Sequence, residues 1–181
     1  MTPEEARQML AEADLVRTEE EIQIALANLA QDITRDLSDA YPLVLTVMGG
    51  AVVFAGQLLP RLVFPMDCDY LHATRYGDVM AGTQLKWIVE PRTSVVGRTV
   101  LVLDDILDEG ITLAAIKAKL LDMGAARCLL AVLTEKDTGK AKPVAADFVG
   151  TRLPNRFVFG CGMDAKGAWR NLPAIYAVKG T

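Results

Sequence analysis

Apolar residues in the first forty positions recur at the spacing of a helix face. Ile22, Leu26, Leu29, Ile33 and Leu37 fall on one side of a single helix. Thr18-Glu19-Glu20-Glu21 precedes them, a threonine placed to cap and a glutamate placed three residues later to reach back. Thr2-Pro3-Glu4-Glu5 has the same form, with proline in the first turn. Two N-terminal helices are predicted, the second long and packed on a core. From Leu43 onward short apolar runs alternate with turn residues. Residues 43–48 read as a buried strand, Gly49-Gly50 as a tight turn and 51–59 as a helix. Residues 66–74 and 85–90 alternate like strands around a polar, glycine-containing loop at 75–82. A fully apolar strand is predicted at 100–103. A helix follows at 111–123, closed by Gly124, and then a strand at 127–134.

Strands that alternate with helices imply an α/β fold, a parallel sheet flanked by helices on both faces. The length fits one domain over 1–181. Residues 1–40 supply the N-terminal helices, 41–145 the sheet core, and 146–181 a flap; the N-terminal helices and the C-terminal strands together are expected to form a small hood beside the sheet. The tail from Asp147 is rich in proline and glycine, with short strands.

Composition narrows the function classes. The chain is 51% hydrophobic with few aromatics, an ordinary globular make-up. A net charge of -4 argues against nucleic acid as a partner, because phosphate binding wants a basic face. Cys68, Cys128 and Cys161 are widely spaced and read as buried free thiols in a reducing cytoplasm. The stretch MTPEEARQML has no apolar run, so no signal peptide is expected. Residues 41–60 carry no charge, but Pro42, Gly49-Gly50 and Gln57 fit a strand, loop and helix better than a membrane span.

The candidate chemistry lies at one seam. The apolar strand at 100–103 runs into Asp104, Asp105, Asp108 and Glu109, and a helix begins just after Gly110. Ligands of open α/β sheets sit at the carboxyl ends of the strands. A helix N-terminus suits a phosphate, and the carboxylates suit sugar hydroxyls or a magnesium ion. Together they describe a pocket for a phosphorylated sugar. A solvated acidic turn or a Walker-B-like strand end would look similar, but no G-x-x-x-x-G-K-[ST] completes a triphosphate site.

The stretch VLVLDDILDEGITL resembles the phosphoribosyl-pyrophosphate signature of the type I phosphoribosyltransferases. Lys136, then DFVGTRLPNRFVFGCGMD from Asp147 to Asp164, then WRNLP, are similar to the base-binding half of hypoxanthine-guanine phosphoribosyltransferases. The resemblance implies transfer of a phosphoribosyl group from phosphoribosyl pyrophosphate to a 6-oxopurine, with Mg2+. It implies that Asp104 and Asp105 bind the ribose hydroxyls, and that Asp108 is the general base near purine N7. The 108–112 loop, Asp108, Glu109, Gly110, Ile111 and Thr112, would cradle the 5′-phosphate. Lys136 would donate to the 6-oxo group, Phe157 would stack on the base and the Val158 backbone would read its edge. Asp164 would sit by the base and, with Asp104 and Asp105, near the metal; Arg170 would reach pyrophosphate. A homodimer or homotetramer is the expected assembly.

Three departures from the family pattern stand out. Its Leu-Lys-Gly loop for pyrophosphate is here Val47-Met48-Gly49, without the lysine charge. Its Ser-Tyr-Gly lid is here Arg75-Tyr76-Gly77, so Arg75 is a candidate replacement cation. Glu109 stands where a small residue is usual, and a carboxylate beside a phosphate is unfavourable unless it points to water. His72, the only histidine, reads as structural. Two alternatives stay open: a xanthine-guanine preference, and a regulator that binds the same ligand without turnover.

Overall fold

The computed structural model describes residues 1–76 and 84–181, with the backbone alone at 75, 76, 84 and 85. Helix α1 (Pro3–Glu12) and helix α2 (Glu19–Leu37) both start in reciprocal capping boxes. The Glu5 N–H donates to Thr2 Oγ1 (3.2 Å), and the Thr2 N–H donates to Glu5 Oε2 (2.6 Å). Thr18 and Glu21 repeat the exchange. Each cap satisfies N–H groups that the helix itself leaves unpaired.

Strand β1 (Asp14–Arg17) lies between these helices. It is followed by β2 (Leu43–Val47), α3 (Ala51–Leu58), β3 (Asp67–Tyr76), β4 (Gln84–Val89), β5 (Thr99–Leu107), α4 (Ile111–Asp122) and β6 (Arg127–Lys136). Strands β7 (Phe148–Leu153), β8 (Val158–Phe159) and β9 (Ile175–Ala177) complete the chain. The main sheet has the order β4-β3-β2-β5-β6-β7. All its neighbours are parallel except the edge pair β3–β4, so the sheet is mixed rather than wholly parallel. A second, antiparallel sheet of order β1-β9-β8 forms the hood.

The period of two along each strand sorts the core into two layers. Leu101, Leu103, Ala131 and Leu133 face α2 and α3, packing on Leu26, Leu29, Ile33 and Phe54. Val100, Val102, Leu130 and Val132 face α4, packing on Leu113, Ile116 and Leu120. The expected hood boundary shifts on both sides. Helix α2 covers the main sheet, because its apolar stripe is buried against β5 and β6. Strand β7, expected in the flap, is the sixth strand of the main sheet, because Phe148 and Leu153 bury into the layer under α2. Gly150 within it lets Leu29 and the Leu133 carbonyl approach where a Cβ would collide.

Cys128 and Cys161 are buried, and burial pushes their thiols up to about 11 and about 12. Cys68 departs from expectation: it is exposed, on β3 between Asp67 and Asp69. His72 lies within β3 opposite Val89. Among the described residues no helix is long and apolar enough to cross a membrane.

Candidate active site

Strand β5 is the central strand, paired with β2 on one side and β6 on the other. The β2 ladder stops at Thr46–Leu103, where β2 leads into Met48, Gly49 and Gly50. The β6 ladder continues from Asp104–Val132 to Leu107–Glu135. Asp104 and Asp105 therefore lie inside the strand, not beyond its end as the apolar run alone predicts. They occupy the stretch where one side of β5 has lost its partner, and that opening exposes strand edge to a ligand.

The two side chains start from opposite faces of the strand, as successive residues do, and still come into contact with each other. Asp105 is 7% exposed and packs against the start of α3, where a Cβ on Gly50 would overlap its carboxylate. Asp104 is half-buried beside the start of α4, and its Oδ1 accepts the Asp105 N–H at 3.0 Å. Burial, and then the charge of Asp105, hold Asp104 well above the usual carboxylate range. Burial also raises Asp105, opposed by its contact with Asp104 and by the Arg170 guanidinium. Burial therefore disfavours the ionised form of both groups. Hydroxyl donors or a cation brought to them would favour the ionised forms.

A cavity of about 240 Å³ is lined by Asp104–Leu113 at the N-terminus of α4. Gly110 caps the helix at φ +81° without a side-chain hydrogen bond, so the first N–H groups of α4 carry no side-chain cap. Ile111 and Glu109 are exposed and Thr112 is half-buried.

Asp108 and Lys136, 28 residues apart, meet across the ends of β5 and β6. Lys136 Nζ donates to Asp108 Oδ2 at 2.7 Å. The lysine is nearly buried and the carboxylate open, with side-chain exposures of 12% and 42%.

Asp164 and Arg170 form a second cluster in the turn after β8. Arg170 Nη2 is 2.6 Å from Asp164 Oδ1, and the Gly167 N–H donates to Asp164 Oδ2 at 2.7 Å. Arg170 Nη1 donates to the Gly162 carbonyl at 2.7 Å. Gly162, at φ +107°, lies so close to the Gly50 carbonyl that a Cβ would overlap it. That contact ties the turn to the Gly50–Asp105 corner. Asp164 does not join Asp104 and Asp105 in a ready-made metal cage. Among the described residues no three His, Cys, Asp or Glu side chains cluster closely enough to hold a metal.

Phe157 is 49% exposed and Val158 is buried in the hood. The Met48–Gly49 peptide is cis, and the Met48 N–H donates to the Leu71 carbonyl at 2.8 Å. Arg75 and Tyr76 end β3, their side chains outside the described residues, as is Gly77. One residue escaped the sequence reading. Lys142 Nζ donates to the carbonyls of Lys136 (2.6 Å) and Leu107 (3.0 Å), at the roots of the Lys136–Asp108 pair. A lysine in a polar loop carries no periodic signal that would have singled it out.

Comparison with known proteins decides the family. The model for the phosphoribosyl transferase domain matches residues 14–166. The chain belongs to that family. Among relatives of this phosphoribosyl transferase, the hypoxanthine-guanine phosphoribosyltransferase of Bacillus subtilis (strain 168) is 32% identical over 163 residues, covering 90% of this chain and 91% of the relative. The hypoxanthine-guanine-xanthine phosphoribosyltransferase of Tritrichomonas foetus is 33% identical over 162 residues, covering 89% and 88%. The solved hypoxanthine phosphoribosyltransferase of Staphylococcus aureus superposes with a TM-score of 0.89 at 26% identity, covering 95% of both chains.

Proposed function

We propose that this phosphoribosyl transferase is a purine-salvage enzyme acting on 6-oxopurines. It moves the 5-phosphoribosyl group from phosphoribosyl pyrophosphate to hypoxanthine or guanine and releases pyrophosphate. The observation that carries this reading is the Lys136–Asp108 contact beside the phosphate cavity. It joins a cation suited to a 6-oxo group with a carboxylate suited to a purine ring nitrogen. Relatives named for hypoxanthine and guanine, aligned over nine-tenths of the chain, support it.

The roles follow from the chemistry of each group. The N–H groups opening α4 and the Thr112 hydroxyl bind the 5′-phosphate, drawn by unpaired donors and the positive end of the helix. Asp104 and Asp105 accept hydrogen bonds from the ribose 2′ and 3′ hydroxyls. The purine nitrogen attacks the anomeric carbon as the bond to pyrophosphate breaks, and Asp108 takes the proton released from the other imidazole nitrogen. Lys136 leaves Asp108 to donate to the 6-oxo group. Phe157 offers an open ring face for stacking, and the Val158 backbone reads the base edge. Arg170 supplies positive charge toward pyrophosphate, with Arg75 the candidate for the charge that Met48 lacks.

The donor set fits Mg2+. Two hard carboxylate oxygens that resist ionisation on their own are complemented by a cation, and magnesium is commonly held by one or two carboxylates together with substrate oxygens. Asp104 and Asp105 would hold it, with Asp164 within its reach through water. When bound, it offsets charge on the leaving pyrophosphate.

A turnover screen of hypoxanthine, guanine, xanthine, adenine and uracil with phosphoribosyl pyrophosphate and magnesium tests the reading. Hypoxanthine and guanine should give nucleotide and pyrophosphate; efficient use of adenine or uracil instead would overturn it. Xanthine turnover ranks the preference, and light scattering distinguishes the proposed homodimer from a homotetramer.

A further inference from the structure

Strands β5 and β6 stay paired through Leu107 and Glu135, and then their side chains must act together without a ladder between them. Asp108 is the next residue on one strand and Lys136 the next on the other. Lys136 stays paired with Leu153 of β7, but no ladder ties it to Asp108, which has left β5, and the contact between these side chains is 2.7 Å.

Lys142 occupies the gap. Its ammonium donates to the Leu107 carbonyl at 3.0 Å and to the Lys136 carbonyl at 2.6 Å. It also faces Glu135 Oε1 at 3.5 Å, and Glu135 is held from its other oxygen by Arg152 Nη2 at 3.2 Å. The Lys142 side chain is 11% exposed, so these contacts form with little competition from water. Its stem and Pro143 pack over Gly110, where an added Cβ would lie 3.5 Å from Lys142 Cβ and 3.4 Å from Pro143 Cδ. One side chain from the loop after β6 therefore touches the root of the proton acceptor, the root of the base-reading lysine and the glycine of the phosphate loop. Hydrogen bonds with a charged donor are shorter and stronger than neutral ones.

We infer that Lys142 is a positioning residue, an ammonium clamp that replaces the missing ladder and sets the separation of Asp108 and Lys136 for the purine. The inference rests on the proposed reaction for its functional part, while the clamp itself is a statement about two carbonyls. Lys142 does not line the cavity at the start of α4, so its effect should appear in purine handling and not in the affinity for phosphoribosyl pyrophosphate.

The test is steady-state kinetics of Lys142→Met, which keeps the stem and removes the donors. The expected result is a KM for hypoxanthine raised about tenfold, with the KM for phosphoribosyl pyrophosphate within about twofold of the parent. In a Lys136→Ala background the same change should add no further rise, because the two act through one group. Lys142→Gln, which retains an amide donor, should fall between parent and Lys142→Met. Three results would overturn the inference: an unchanged hypoxanthine KM, equal rises in both constants, or an undiminished rise in the Lys136→Ala background. A second arm needs no turnover. Amide hydrogen exchange across 107–110 should be faster in Lys142→Met than in the parent, and unchanged exchange there would refute the clamp. A parent that turns over no 6-oxopurine would refute the proposed reaction, leaving the exchange result to judge the clamp alone.

Discussion

Lys136 Nζ and Asp108 Oδ2 lie 2.7 Å apart, so the cation assigned to the base and the carboxylate assigned to its proton satisfy each other. A 6-oxopurine offers an acceptor to the lysine and a ring proton to the carboxylate, and can therefore replace both halves of the pair. Adenine presents an amino donor where the lysine wants an acceptor. It would open the pair and leave the ammonium without a partner.

Lys136→Ala should lower the efficiency with hypoxanthine by about ten- to a hundredfold, the value of one charge-assisted hydrogen bond. Comparing kcat/KM for hypoxanthine and adenine in parent and variant measures it. An unchanged ratio between the two bases would remove Lys136 from base selection.

Gly50 has no room for a side chain. A methyl group there would occupy the space of the Asp105 carboxylate, which is buried and has little room to turn. If Asp105 binds the ribose as proposed, Gly50→Ala should weaken binding of phosphoribosyl pyrophosphate by about tenfold or more, because a displaced carboxylate would lose those hydrogen bonds. Calorimetric titration of the variant provides the check. Parent-like affinity would show that Asp105 does not hold the ribose.

The carboxylate pair also sets a pH dependence. Asp104 is held well above its ordinary value of 3.8, mainly by burial and then by Asp105. Its native form binds the proton more tightly than the unfolded chain does. The group therefore adds stability as pH falls toward 3.8, and costs stability as pH rises through its raised value. Asp104→Asn should flatten the stability–pH curve above about pH 4 and raise it near neutrality. Urea unfolding across that range decides the matter; a curve parallel to that of the parent would show that the charge is already compensated.

Much of this was legible because its signals are local. The capping boxes at Thr2 and Thr18 mark α1 and α2 within four residues each. The apolar run ending in Asp104, Asp105 and Asp108, then Gly110, carries both β5 and the loop that opens α4. What escaped depends on distant partners. Strand β1 has four residues and no pattern of its own, and it exists because β9, some 160 residues later, pairs with it. Asp104–Leu107 stay extended because β6 runs alongside them, although acidic residues argue locally for a turn. Strand β7 reads like a flap because Gly150 interrupts it, and the reason for the glycine is the approach of α2. Cys68 stands exposed on β3 between Asp67 and Asp69, and the general tendency of free thiols to be buried does not hold for it.

Pyrophosphate binding tests the departure at Met48. Arg75→Ala should raise the KM for phosphoribosyl pyrophosphate and, in the reverse reaction, for pyrophosphate, with purine affinity nearly unchanged. Met48→Lys should offset that loss. Constants for both substrates that ignore Arg75→Ala would assign the charge to Arg170 and magnesium alone.

The most direct single measurement is the rate of inosine monophosphate formation by Asp108→Asn, with the affinity for phosphoribosyl pyrophosphate determined on the same sample. The amide keeps the size of the side chain and cannot take the purine proton. Turnover should fall about 10²- to 10⁴-fold, the usual contribution of a general base, with phosphoribosyl pyrophosphate bound as in the parent. Turnover at the parent rate would contradict the role of Asp108 and, with it, the chemical reading of its pairing with Lys136.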